Sequence, residues 1–145
     1  MAGITLISKI TPVTRGISLM PETTANLFAS SFVIAVPDLE KSAAYFRDAL
    51  GFTLEWPDGL GWQLASRGAV KVMLGHSPDV SRPASLGDHN YFGYFNTDEV
   101  DALYQEFVAS GAIILQPPAD KPHGMREFTI ATPDGHRMMI GQEIS

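Results

Sequence analysis

Two short stretches hold the side chains best suited to chemistry, HGMREF at 123–128 and TPDGHRMMIG at 132–141. In the first, Arg126 and Glu127 are neighbours. A guanidinium can fork onto a carboxylate or carbonyl, and a glutamate can take a proton or pair with an amine. Read as a strand, the stretch sends adjacent side chains to opposite faces, so only one of the two enters a site built there, and parity favours Arg126. The four histidines are His76, His89, His123 and His136. No two have the spacing that sets a pair of metal ligands on one face of a helix or strand, so they read as loop and turn residues. His136, in the turn before the last strand, is the one that could also face an interior. No cysteine is present, which excludes thiolate metal sites, disulfides and cysteine nucleophiles and makes a reducing cytoplasm the expected compartment. No nucleophile and base stand at a recognisable spacing.

These residues must be positioned by elements that the periodicity announces. SSFVIAV at 30–36 reads as a strand. In DLEKSAAYFRDALG, Asp38 caps a helix whose apolar residues Leu39, Ala43, Phe46 and Leu50 recur at helical spacing before Gly51 ends it. Three strands are expected next, FTLEW at 52–56, GWQLAS at 61–66 and VKVML at 70–74, parted by the turn residues Pro57, Asp58, Gly59, Arg67 and Gly68. A Pro-, Ser- and Gly-rich linker follows. Then the order repeats: a strand YFGYFN at 91–96, an amphipathic helix DEVDALYQEFVASG at 98–111, and three strands in IILQP, REFTIAT and RMMIGQ. Asp38 and Asp98, like Gly51 and Gly111, are 60 residues apart.

The expectation is therefore an α+β fold of two tandem βαβββ modules, module one over 29–76, a linker over 77–89 and module two over 90–145. Each helix covers one face of its sheet. The other faces must find a partner, which two curved sheets achieve by enclosing a central hollow. Residues 1–28, broken by Ser8, Lys9, Thr11, Pro12 and Arg15, read as an arm rather than a secretory signal, and Met20 offers an alternative start. A net charge of -6 argues against a nucleic-acid partner and fits neutral or cationic ligands. No apolar run approaches the roughly 20 residues of a membrane span.

VPDLEKSAAYFRDALGF and FTIATPDGHRMMIGQE resemble the glyoxalase, bleomycin-resistance and extradiol-dioxygenase group, the vicinal oxygen chelate superfamily, over roughly residues 30–144. The resemblance implies four strand positions converging on the hollow, where the family's enzymes carry His and Glu as metal ligands. Counted from Asp38 and Gly135, they fall on Ser31, on Val72 or its neighbour Met73, on Phe92 or its neighbour Tyr91, and on Met139. None of these is an imidazole or carboxylate, so a metal-site-lacking branch with no metal or cofactor is expected. Alternation adds Val33 and Ala35 to the face of Ser31 and Tyr94 to that of Phe92, and Trp62 supplies a flat wall. The expected ligand-binding set is Ser31, Trp62, Val72, Phe92, Tyr94, Arg126 and Met139. By resemblance, the chain is expected to be a homodimer that sequesters a partly aromatic or cationic small molecule in an apolar hollow. The alternative is a glyoxalase-like lyase or isomerase, or a dioxygenase-like enzyme, whose site is relocated or stands at other strand positions than those counted from Asp38 and Gly135.

Overall fold

Asp38 starts the first helix as its residue type dictates, its carboxylate accepting the Lys41 amide at 3.1 Å. A computed structural model describes residues 25–87 and 90–144. Most of the expected N-terminal arm, the alternative start and His89 lie outside the described residues. The first module runs β1 (Phe32–Val36), α1 (Leu39–Asp48), β2 (Thr53–Leu54), β3 (Trp62–Arg67) and β4 (Val70–His76). The second runs β5 (Tyr91–Asn96), α2 (Val100–Ala109), β6 (Ile113–Asp120), β7 (Met125–Ala131) and β8 (Arg137–Glu143). The duplicated βαβββ order is thus present, each module forming a four-stranded mixed sheet, β1-β4-β3-β2 and β5-β8-β7-β6. In both, the first strand pairs parallel with the last, and the remaining pairs are antiparallel.

The two helices differ at their starts. Asp98 does not cap α2; the cap position falls to Glu99, whose side chain makes no capping bond. Gln142 of β8 instead accepts the Val100 amide at 2.9 Å, and Thr97 accepts that of Glu99 at 3.1 Å. A tertiary partner has replaced the local cap, because any oxygen near the first turn can satisfy its unpaired amides. The expected strand at 52–56 shrinks to two residues, and the linker contains a 3-10 turn at Pro83–Leu86.

Alternation divides each sheet into a helix-covered and a helix-free face. On the covered side Ile34, Val36, Ala65, Val72 and Leu74 of the first sheet join Phe46 and Leu50, and Phe128, Ile130, Met138 and Ile140 of the second join Val100 and Phe107 in one continuous core. Phe128 meets Tyr104 and Phe107 edge-on at 5.4 and 6.1 Å.

The modules are also tied by polar contacts. Tyr45 donates its hydroxyl to the Ala131 carbonyl at 2.7 Å and accepts the Ile113 amide at 2.9 Å. Arg67 forks onto Glu106 at 2.6 and 2.9 Å while donating to the Leu50 carbonyl at 2.8 Å. His136, 6% exposed, donates Nε2–H to the Ala35 carbonyl at 3.1 Å. Its Nδ1 then accepts from the Thr132 hydroxyl at 2.8 Å, so the neutral ring is fully partnered. Burial pushes its pKa below the ordinary value, outweighing the Ala35 bond and the nearby Asp134 charge. The turn role of His136 is therefore a seam between modules.

Candidate functional site

The helix-free faces hold the residues left for chemistry. On β1 these are Ser31's neighbours in alternation, Val33 and Ala35, with Val33 60% exposed. On β3 and β4 the face carries Trp62, Leu64, Met73 and Gly75. Val72 does not belong to it: it is fully buried on the covered side, and its neighbour Met73 takes the outward place. A slip of one residue in the count exchanges the faces, which is why adjacent positions could not be told apart before the register was seen.

Trp62 lies across Gly75, its cross-strand partner; a Cβ on that glycine would stand 2.8 Å from the indole carbons. Any other residue there would lift the ring off the sheet. Trp56 faces it from the β2–β3 turn. That turn is held by buried Gln63, whose side-chain amide donates to the Trp56 carbonyl and accepts the Trp56 amide, both at 2.8 Å. Trp56, Leu60, Trp62 and Met73 line an apolar groove of ≈ 410 Å³. The other edge of Trp62 borders a second groove of ≈ 530 Å³, where Asp38, Glu40, Asp58 and His76 are among the lining residues.

On the second sheet, Tyr94, Glu127, Thr129, Met139 and Gly141 share the helix-free face. Arg126 does not join them. It points to the α2 side, donating to Asp101 at 3.0 Å and Asp120 at 2.9 Å, so Glu127 is the member of the pair that enters the site. Phe92 is displaced as well. The pairing of β5 with β8 skips it between Tyr91 and Gly93, and this bulge turns its ring into a cluster with Phe32, Phe95 and His136, at centroid distances of 6.0, 6.1 and 6.2 Å. An inserted residue reverses the parity of everything before it in the strand, so Tyr94 keeps its expected face and Phe92 does not.

Glu127 is only 7% exposed. Its Oε2 accepts the Tyr94 hydroxyl and His123 Nε2–H, both at 2.8 Å. Burial raises the Glu127 pKa, but the two hydrogen bonds, with the charges of His123 and Lys121, outweigh it and hold the carboxyl below its ordinary value. Burial, then the bond to Glu127 and its charge, push the Tyr94 phenol up to about 12. Tyr94 lies over Gly141, where a Cβ would collide with its hydroxyl, as Trp62 lies over Gly75 on the other sheet. Each helix-free face thus has an aromatic ring seated on a glycine of the inner strand. The sequence signal was a glycine interrupting a strand pattern, in VKVMLGH and RMMIGQE.

Ser31, Met73, Tyr91, Phe92 and Met139 offer neither imidazole nor carboxylate to a divalent ion, and among the described residues no three His, Cys, Asp or Glu side chains converge as a ligand set. The side chains present do not fit the metal that the resemblance would bring. Among the described residues, no helix is long and apolar enough to cross a membrane.

Residues 29–140 match the family model of the Glyoxalase/Bleomycin resistance protein/Dioxygenase superfamily. Among solved structures, the bleomycin resistance determinant encoded on transposon Tn5 is similar, with 20% identity, 81% of this chain and 98% of that one covered and a TM-score of 0.67. TioX from Micromonospora sp. ML1 matches at 22% identity, with 80% of this chain and 100% of that one covered and a TM-score of 0.63. A glyoxalase/bleomycin resistance protein/dioxygenase from Nocardioides matches at 19% identity over 86% and 88%, with a TM-score of 0.64. No curated protein matches the chain. At these identities the structures speak for the fold alone. With the duplicated modules and the family model in agreement over most of its length, the chain belongs to the glyoxalase, bleomycin-resistance and dioxygenase superfamily.

Proposed function

We propose that the chain is a metal-free binding protein that sequesters a small, partly aromatic or cationic compound on its helix-free faces. The observation that carries this reading is the groove of Trp56, Leu60, Trp62 and Met73, whose two indoles and thioether are left open at the surface rather than packed into the core. Indole faces stack on planar molecules and attract cations, and a contact of this kind contributes about 0.5–1.5 kcal/mol beyond the area it buries. The acidic net charge of -6 and the anionic Glu127 favour a cation. Membership of a superfamily whose description includes bleomycin resistance proteins is consistent with the same class of role. The same reading takes the working form to be a cytoplasmic homodimer, a second copy closing the face on which Val33 stands 60% exposed.

The test is a fluorescence titration with proflavine, a planar aromatic cation, and with bleomycin. Binding should quench the emission of Trp56 and Trp62. Trp62→Ala should weaken it by roughly fivefold or more, equivalent to about 1 kcal/mol, in a chain that stays folded, since the 43% exposed ring lies outside the core. A quench of equal affinity in the variant would move the site elsewhere. Elemental analysis after incubation with Ni, Zn, Mn and Fe salts is the companion measurement; stoichiometric tight metal overturns the metal-free reading.

The second reading, a glyoxalase-like lyase or isomerase, draws on the Tyr94, Glu127 and His123 cluster as its acid–base group. A carboxyl held below its ordinary pKa is a weak proton acceptor at neutral pH, which places this reading second.

A further inference from the structure

We infer that Glu127 is the anchor for a cationic headgroup, an amidinium, guanidinium or primary ammonium, of the compound bound on the helix-free face of the second sheet. The inference rests on the binding reading above and deepens it by naming the class of group recognised.

Glu127 combines three properties. It is 7% exposed, yet it faces the side that no helix covers. Both of its resident donors, Tyr94 and His123, converge on one oxygen, Oε2, at 2.8 Å each. Among the described residues, no hydrogen bond reaches Oε1. A buried carboxylate oxygen ordinarily has a donor, and leaving one without is costly, more so for a charged group. Arg126 cannot supply it, because it is held on the opposite face by Asp101 and Asp120, and Lys121, whose charge reaches Glu127, makes no hydrogen bond to it among the described residues. Among the described residues, the geometry leaves Oε1 as an acceptor for an N–H from elsewhere. Tyr94, which donates to Glu127, and Thr129 both pair across to Met139, so an aromatic ring and a thioether share the face of the carboxylate and suit the apolar body of such a molecule.

The two donors also decide what kind of work the carboxylate does. A general base needs its pKa brought up toward the working pH, whereas Tyr94 and His123 stabilise the ionised form. A permanently charged, partly desolvated carboxylate is a counter-ion, and a charge-assisted hydrogen bond to it is about twice as strong as a neutral one.

The test compares naphthalene-2-carboxamidine with naphthalene-2-carboxamide, probes of the same shape that differ in charge, by calorimetric titration of the full chain. The wild type should bind the amidine at least roughly tenfold tighter than the amide. Glu127→Gln should bring the two affinities together, and Glu127→Asp should retain part of the preference. Equal affinity of the wild type for both probes overturns the anchor and leaves the binding reading standing. Binding of neither at millimolar concentration overturns both. A folded Glu127→Gln chain that still prefers the amidine also overturns the anchor. Where Glu127→Gln does not fold, the wild-type ratio and the Glu127→Asp chain decide the matter.

Discussion

At the scale of single residues, two buried titratable groups give pH signatures of the same sign in separate windows. His136 has a folded pKa below the ordinary 6.5, so the unfolded chain takes up the proton first as pH falls. Its contribution to stability is fully present above 6.5 and is lost as pH drops through that value toward the folded pKa. His136→Phe should flatten the stability profile in this window, and it should cost about 1–3 kcal/mol at neutral pH by leaving the partly buried Ala35 carbonyl without the imidazole donor. Denaturant melts at a series of pH values measure both effects. Glu127 works at lower pH: its depressed pKa gives stability that is present above the ordinary 4.5 and lost as pH falls further, a separate window in the same profile. Tyr94 is accessible from the alkaline side. Its phenol should appear in an absorbance titration as a transition at about 12, missing from Tyr94→Phe. Gly141→Ala should pull that transition back toward 10, since the new methyl group occupies the place of the Tyr94 hydroxyl and breaks its bond to Glu127. An unmoved transition in a folded Gly141→Ala chain would show that the ring has room the backbone does not suggest.

At the scale of elements, the short β2 strand and its turn depend on a side chain rather than on a ladder. Two strand residues are too few to fix Trp56, and the Gln63 amide supplies the missing pair of bonds from within β3. Gln63→Leu keeps the bulk and removes both bonds. The expected result is a loss of about 1–3 kcal/mol and a red-shifted, more quenchable tryptophan emission as Trp56 is released. Unchanged emission would mean that the turn is held by other contacts. The same dependence on tertiary partners explains α2, where Gln142 of β8 performs what Asp98 was expected to do. In α1 the local cap formed as the sequence implied, because Asp38 sits where its carboxylate reaches the Lys41 amide without help from elsewhere.

For residues 31–144 as a whole, the packing predicts one cooperative unfolding transition. The core is continuous from Ile34 and Phe46 of the first module to Phe107 and Ile140 of the second, and Tyr45, Arg67 and His136 each reach across the boundary. Neither module can open without exposing part of the other's core, so urea melts followed by tryptophan fluorescence and by circular dichroism should coincide. Two separated transitions would show that the modules are independent. The proposed dimer is read by sedimentation: a monomer at micromolar concentration counts against it, and proflavine affinity independent of protein concentration would show that one copy is enough for the site.

The order of elements was legible in the sequence because helix and strand periodicity is local, and because the pattern occurs twice, with Asp38 and Gly51 echoed by Asp98 and Gly111. The helix-free positions of Val33, Tyr94 and Met139 followed from the strand positions that the resemblance implies, extended by alternation. What alternation could not supply was absolute parity. Val72 and Met73 are both apolar, so only the pairing with β1 and β3 shows which one is covered by a helix. Arg126 and Glu127 are both charged, and their separation into an outer ion pair and an inward carboxylate depends on Asp101 of α2 being on one side of the strand and Tyr94 of β5 on the other. Phe92 left its expected face because of one extra residue, a feature set by how β5 must meet β8 and by the ring cluster that rewards it. Periodicity in a chain determines which residues share a face; which face looks outward, and which side chains meet there, is decided by strand register and packing between segments far apart in sequence.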